Sequence, residues 1–143
     1  MPRLRFWITA CAVSAVLCAG AELQFSITLD RDTGPSVPVM TARLSLRNAT
    51  DKPVRLAFSS GQRYDLELKN ERGDVVYRWS EGRAFTMELG EEIIESGERN
   101  YVVTVRLADK EGKPLAQGKY TAVGWITTMG PRTYVATAGF QMR

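Results

Sequence analysis

Apolar and polar residues alternate along most of the chain from residue 22 onward. Residues 23–30 follow the alternation strictly, and residues 40–47 repeat it. A period of two is typical of a β-strand with one buried face and one solvent-facing face. Further apolar or alternating runs begin at Val54, Tyr64, Val75, Tyr101, Tyr120 and Thr133. The pattern therefore predicts seven to nine short strands.

Turn-forming residues separate these predicted strands. Residues 70–74 and 109–113 each place a glycine where a short hairpin loop requires a positive φ. Residues 120–127 are apolar on both faces, so we expect a central strand that pairs with residues 133–142. Residues 90–96 are the one segment that could form a helical turn. Short strands joined by turns predict a single antiparallel β-sandwich domain.

The first residues have the composition of a secretory signal peptide. Arg3 and Arg5 precede an apolar run, and Ala19, Gly20 and Ala21 fit a cleavage site. We expect residues 1–21 to be removed and residues 22–143 to form the domain, located in the periplasm, in the envelope or outside the cell. Two alternatives stay open. The apolar run is short for a membrane anchor, and lipidation of Cys18 would tether the domain.

Residues that are missing exclude several classes of chemistry. The chain contains no histidine, and its two cysteines, Cys11 and Cys18, lie within the predicted signal peptide. Ser-His-Asp and Cys-His catalysis and His/Cys zinc sites are therefore excluded. The net charge of +3 falls to +1 when Arg3 and Arg5 are removed, so no basic patch points to nucleic acid. We expect a protein that is not an enzyme, has no cofactor and does not insert into a membrane after cleavage.

Three local patterns allow a functional interpretation beside a structural one. Glu88, Glu91, Glu92 and Glu95 could hold calcium, but they lack the Asp, Asn and carbonyl spacing of a calcium loop, which favours solvated carboxylates. Residues 48–50 match a glycosylation sequon but serve equally well in a turn, which we favour. The aromatic residues could line a carbohydrate groove, yet most are in phase with their strands and favour a core. Trp125 is the main exception.

Several short segments together resemble the BsuPI-type intracellular proteinase inhibitors. The segments are residues 58–65 (FSSGQRYD), 73–80 (GDVVYRWS), 85–86 (FT), 96–98 (SGE) and 118–120 (GKY). They extend over about residues 44–126, most of the expected domain. The resemblance implies an immunoglobulin-like sandwich and, for the founding member, inhibition of a subtilisin-type serine proteinase. The chain departs from the family in its predicted export signal and in Ser96, where relatives often have proline.

The loop that we expect to contact a protein partner consists of Ser59, Ser60, Gly61, Gln62 and Arg63. It belongs to the family-like segment, yet its polar residues have no obvious role in a core. Residues 80–83 and 130–132 are further loop tips. We expect Phe58 and Tyr64 to hold the loop, so that Gln62 and Arg63 face a serine proteinase. The alternatives are an envelope assembly domain that pairs through a sheet edge and a carbohydrate-binding module.

Overall fold

The computed structural model describes residues 23–32 and 38–143. Within these residues the secondary structure consists of nine β-strands and no helix. The strands are β1 (Leu23–Asp32), β2 (Val39–Asn48), β3 (Val54–Phe58), β4 (Tyr64–Lys69), β5 (Val75–Arg78), β6 (Gly90–Ile94), β7 (Gly97–Arg106), β8 (Gly118–Ile126) and β9 (Val135–Met142). The prediction of an all-β domain is confirmed.

Two antiparallel sheets form the body of the domain. One has the strand order β1-β2-β7 and the other the order β5-β4-β8-β9, while β3 and β6 form a separate antiparallel pair. This order matches the A-B-E and C′-C-F-G sheets of an immunoglobulin-like sandwich. The predicted architecture is therefore confirmed, including the central position of β8 and its hairpin with β9.

The core lies between the two sheets and follows the alternation seen in the sequence. Leu44 and Leu46 of β2 are fully buried, as are Leu66 and Leu68 of β4. The sheets approach each other closely at Gly124 of β8, because a Cβ atom there would lie 2.7 Å from Leu44 Cδ2. Burial of these leucines contributes on the order of 1.5–3 kcal/mol for each side chain.

Other local predictions can also be compared with the fold. Gly73 and Gly112 have φ values of 84° and 85°, as the turns require. Residues 90–94 form strand β6 rather than a helical turn, because they pair with β3 in register over five residues.

No helix among the described residues is long and apolar enough to cross a membrane. The predicted signal peptide, residues 1–21, lies outside the described residues.

Candidate partner-binding site

Residues 59–63, the 59–63 loop, connect β3 of the small strand pair to β4 of the four-stranded sheet. At the start of the loop, Phe58 forms a bridge with Thr128. At its end, Tyr64 pairs with Ile126. Residues 126–128 are the last residue of β8 and the two residues after it, so a single stretch of chain holds both ends of the loop. This arrangement fixes where the loop begins and ends.

Hydrogen bonds also fix the middle of the loop. The Thr127 hydroxyl donates to the Gln62 carbonyl at 2.7 Å, and the Thr127 amide donates to the Arg63 carbonyl at 3.1 Å. Within the loop, the Gln62 amide donates to Ser60 Oγ at 3.2 Å, and Gln62 Nε2 donates to the Tyr64 carbonyl at 3.0 Å. The loop is therefore held in one shape without a disulfide.

The Arg63 side chain makes several contacts within the domain. Its Nε donates to Glu92 Oε1 at 3.0 Å, its Nη1 donates to the Ser60 carbonyl at 2.8 Å, and its guanidinium lies 4.4 Å from the Phe58 ring centroid. The Arg63 side chain is only 23% exposed. Gly90 makes room for it, because a Cβ there would lie 2.6 Å from Arg63 Nη2.

The side chains of Gln62 and Arg63 both form bonds inside the domain, since the folded chain brings them next to carbonyl and carboxylate acceptors. Both stay half-buried, and the expectation that they face a partner stays a prediction. The exposed residues of the loop are Ser59 and Gly61, with Ser60 half-buried between them. Whether the loop binds a partner stays a prediction.

A second segment, residues 84–89, lies against the 59–63 loop. The Gly61 amide donates to the Thr86 carbonyl at 2.8 Å, and a Cβ on Gly61 would overlap Thr86 Oγ1. Phe85 packs on Trp79 with ring centroids 5.9 Å apart, and Trp79 packs on Tyr64 at 4.7 Å. Backbone and aromatic contacts therefore join the 84–89 segment to the loop and to β4.

Two of the exposed side chains in the 84–89 segment are large and apolar. Met87 is 87% exposed and Leu89 is 78% exposed. Sequence reasoning missed these residues as a surface, because Met87 and Leu89 alternate with Glu88 as in a half-buried strand. The signal that distinguishes this segment is that strand pairing with β3 begins only at Gly90, and this signal requires a structure.

The two other loop tips serve mainly to cover aromatic side chains. In residues 80–83, Ser80 Oγ donates to Asp65 Oδ2 at 2.6 Å, and the Arg83 guanidinium lies 4.3 Å from the Trp79 ring centroid. In residues 130–132, Arg132 lies 3.8 Å from the Trp125 centroid. Trp125 is only 5% exposed, so it does not provide the exposed aromatic surface that a carbohydrate-binding groove would need.

The carboxylates and the sequon also have structural roles. Glu91 pairs with Arg55 at 2.9 Å, and Glu92 binds both Arg63 and Arg99. No group of three or more potential metal ligands occurs among residues 23–32 and 38–143.

Asn48 is buried, and its Nδ2 donates to the Lys52 carbonyl at 2.7 Å and to the Ile94 carbonyl at 2.9 Å. The Asn48 side chain therefore stabilises the turn, in agreement with the structural interpretation of residues 48–50.

Ion pairs offset part of the charge near the site. Arg63 and Arg99 share the Glu92 carboxylate, which offsets one of their two positive charges. Tyr101 of β7 packs on Tyr64 with centroids 5.3 Å apart, and burial raises the pKa of its hydroxyl above 10.0, partly offset by Arg99. The arrangement presents a rigid, mostly uncharged surface that is suited to binding.

Comparison with solved structures gives a distant similarity. The chain is similar to the β-glucosidase from Kluyveromyces marxianus in complex with glucose, with 12% sequence identity and a TM-score of 0.42. The similarity covers 83% of this chain but only 14% of that enzyme, so this chain corresponds to a small part of its length. No curated protein matches the chain.

Comparison with protein families gives a match over most of the chain. The model of the BsuPI family, described as intracellular proteinase inhibitor, matches residues 22–131. This description contradicts the exported localisation that we predicted from the first 21 residues, which lie outside the match. With well over half of its length matched, the chain belongs to the BsuPI family of proteinase inhibitors.

Proposed function

We propose that this domain inhibits a serine proteinase of subtilisin type by binding to it, without catalysing a reaction itself. Family membership supports a proteinase as the partner. The observation that carries the proposal is that the 59–63 loop is fixed at both ends and in its middle by residues 126–128. Ser59, Ser60 and Gly61 then offer their outer surface to the enzyme, and Gln62 and Arg63 hold them in place.

Rigidity is the physical requirement for a tight inhibitor of this kind. Ordering a flexible side chain on binding costs about 0.5–1.5 kcal/mol, so a loop that is already ordered loses less affinity. Small secreted inhibitors commonly obtain this order from disulfides. In this domain the Thr127 bonds and the Arg63–Glu92 pair supply it instead.

Pairing of another chain at the β5 edge of the four-stranded sheet has weaker support. Strand β5 has only four residues, and its register with β4 shifts between Leu68 and Lys69. Short and irregular edge strands discourage the addition of another strand.

Inhibition assays on a panel of subtilisin-type proteinases test the proposed function. We expect the purified domain to inhibit at least one of them reversibly at micromolar concentration, with the domain uncleaved by mass spectrometry. An unrelated β-sandwich domain serves as the control for non-specific competition. Absence of inhibition across the panel, or rapid cleavage of the domain as a substrate, would contradict the proposal.

A further inference from the structure

Among the described residues, Met87 and Leu89 are the two most exposed of the large apolar side chains. Both belong to the 84–89 segment, which is joined to the 59–63 loop through the Gly61–Thr86 bond. An isolated exposed apolar residue is ordinary on a protein surface. Two such residues, two positions apart on a segment whose backbone is anchored, indicate a contact surface.

The segment is anchored on its inner side and free on its outer side. Phe85 is half-buried against Trp79, whereas Met87 projects into solvent. The Thr86 carbonyl between them accepts the Gly61 amide. Met87 therefore extends into solvent from a segment whose backbone is held in place, so its side chain is free to enter a concave pocket of a partner.

We infer that Met87 enters an apolar side-chain pocket of the proteinase, with Leu89 contacting the rim of that pocket. The inference rests on the proposed function and names the contact within it. It also names the class of partner, an endoproteinase whose main specificity pocket accepts an unbranched apolar side chain. A pocket with a carboxylate at its base, which selects Lys or Arg, would reject a methionine.

The charges around Met87 favour a protein pocket over a lipid surface. Interfacial segments that bind membranes combine apolar residues with Lys and Arg on the flanking polar face. Here the residues between and beyond Met87 and Leu89 include Glu88 and Glu91, and no basic residue lies between positions 84 and 98. A methionine is also flexible enough to adapt to a pocket of irregular shape.

Charge substitutions at the exposed positions test the inference in an inhibition assay with the proteinase from the panel. We expect Met87→Asp to raise the inhibition constant at least about tenfold, since an apolar pocket must then desolvate a carboxylate. The matched control is Val75→Asp, an exposed apolar residue at the opposite end of β4, where Val75 pairs with Lys69. It should change the inhibition constant less than about twofold.

Oxidation of Met87 provides a second readout that needs no substitution. A methionine held in a pocket is shielded from peroxide, so sulfoxide formation at Met87 should slow strongly in the complex.

If the wild-type domain inhibits and Met87→Asp inhibits equally well, with Met87 oxidised at the same rate bound and free, the inference is wrong while the proposed function stands. If the wild-type domain inhibits no proteinase of the panel, both are wrong.

Discussion

Arg63 illustrates how one side chain can determine the shape of a loop. Its guanidinium contacts an aromatic ring, a carbonyl and a carboxylate at the same time, through Phe58, Ser60 and Glu92. A planar guanidinium can make these three contacts together because its donors diverge in a fixed plane. A lysine ammonium in the same place can satisfy only part of this set. The geometry of the group therefore matters here as much as its charge.

Replacement of Arg63 by lysine keeps the positive charge and removes the planar guanidinium, so it measures how much the geometry of the group contributes to stability. We expect Arg63→Lys to lower the free energy of unfolding by about 1–2 kcal/mol, because the bonds to Ser60 and Glu92 cannot both be kept. Urea denaturation measures this loss. The matched control is Arg55→Lys, since Arg55 is an exposed residue that pairs with Glu91 and should lose less than about 0.5 kcal/mol. Equal losses at the two positions would contradict a special role for Arg63.

Burial of Tyr101 makes stability depend on pH in the alkaline range. Burial raises the pKa of Tyr101 above 10.0, so the unfolded chain loses its proton first as pH increases. The contribution of Tyr101 to the free energy of unfolding is therefore fully present below pH 10. Above pH 10 it decreases, by at most about 1.4 kcal/mol per pH unit. Tyr101→Phe should reduce the slope of unfolding free energy against pH above pH 10. Burial also raises the pKa of Tyr77, which should account for part of the slope that remains.

A comparison of the variant with the wild type at pH 7 is the control for this titration. At that pH both states carry a protonated tyrosine, so any difference reports packing rather than ionisation. An unchanged alkaline slope in Tyr101→Phe would show that Tyr101 does not titrate differently in the folded and unfolded chains.

At the scale of strands, the register of β2 determines what is buried. Leu44 pairs with Ile27 of β1 and with Tyr101 of β7, and its side chain points toward Gly124 of the opposite sheet. Its neighbour Arg43 lies on the other face and is exposed. A shift of one residue would exchange these two environments.

Alanine substitutions at neighbouring positions of β2 test this register. Leu44→Ala should lower the free energy of unfolding by about 2–5 kcal/mol, because it leaves a cavity between two closely packed sheets. Arg43→Ala on the exposed face should cost less than about 0.5 kcal/mol. Chemical denaturation of both variants is the measurement. Similar losses at the two positions would contradict the register.

Sequence alone predicted the strands whose alternation is local, and it failed where pairing depends on distant residues. In β6 the half-buried residue Glu92 is charged, and the fold accommodates it because its carboxylate pairs with Arg63 of the 59–63 loop. Adjacent glutamates followed by adjacent isoleucines therefore gave no period of two, and residues 90–96 suggested a helical turn. The inward orientation of Arg63 could not be predicted for the same reason, since its partner is 29 residues away in the chain.

At the scale of the whole domain, the candidate site is assembled from three separate stretches of chain. The 59–63 loop, the 84–89 segment and residues 126–128 meet at one end of the sandwich through backbone hydrogen bonds. Sequence reasoning identified the first of these from its family-like residues and could not find the others. Their contribution comes from position in the fold, which no local pattern encodes.

The contact between Gly61 and Thr86 couples two of these stretches and can be tested with a double-mutant cycle. A Cβ at position 61 would overlap Thr86 Oγ1, while the Thr86 Cβ would be 3.6 Å away, an ordinary contact. Gly61→Ala should therefore force the stretches apart or change the Thr86 rotamer, which lowers the free energy of unfolding by about 1 kcal/mol. In a Thr86→Ala background the same substitution should cost less than about 0.3 kcal/mol, because the overlapping oxygen is gone.

Inhibition assays on the same four proteins extend this cycle to function. If the loop and the 84–89 segment bind the proteinase as one surface, Gly61→Ala should raise the inhibition constant about fivefold, and Thr86→Ala should restore most of the affinity. The restoration is informative because Thr86→Ala removes only an exposed hydroxyl and methyl group and keeps the carbonyl that accepts the Gly61 amide. Additive effects of the two substitutions, on stability and on inhibition alike, would show that the two stretches act independently.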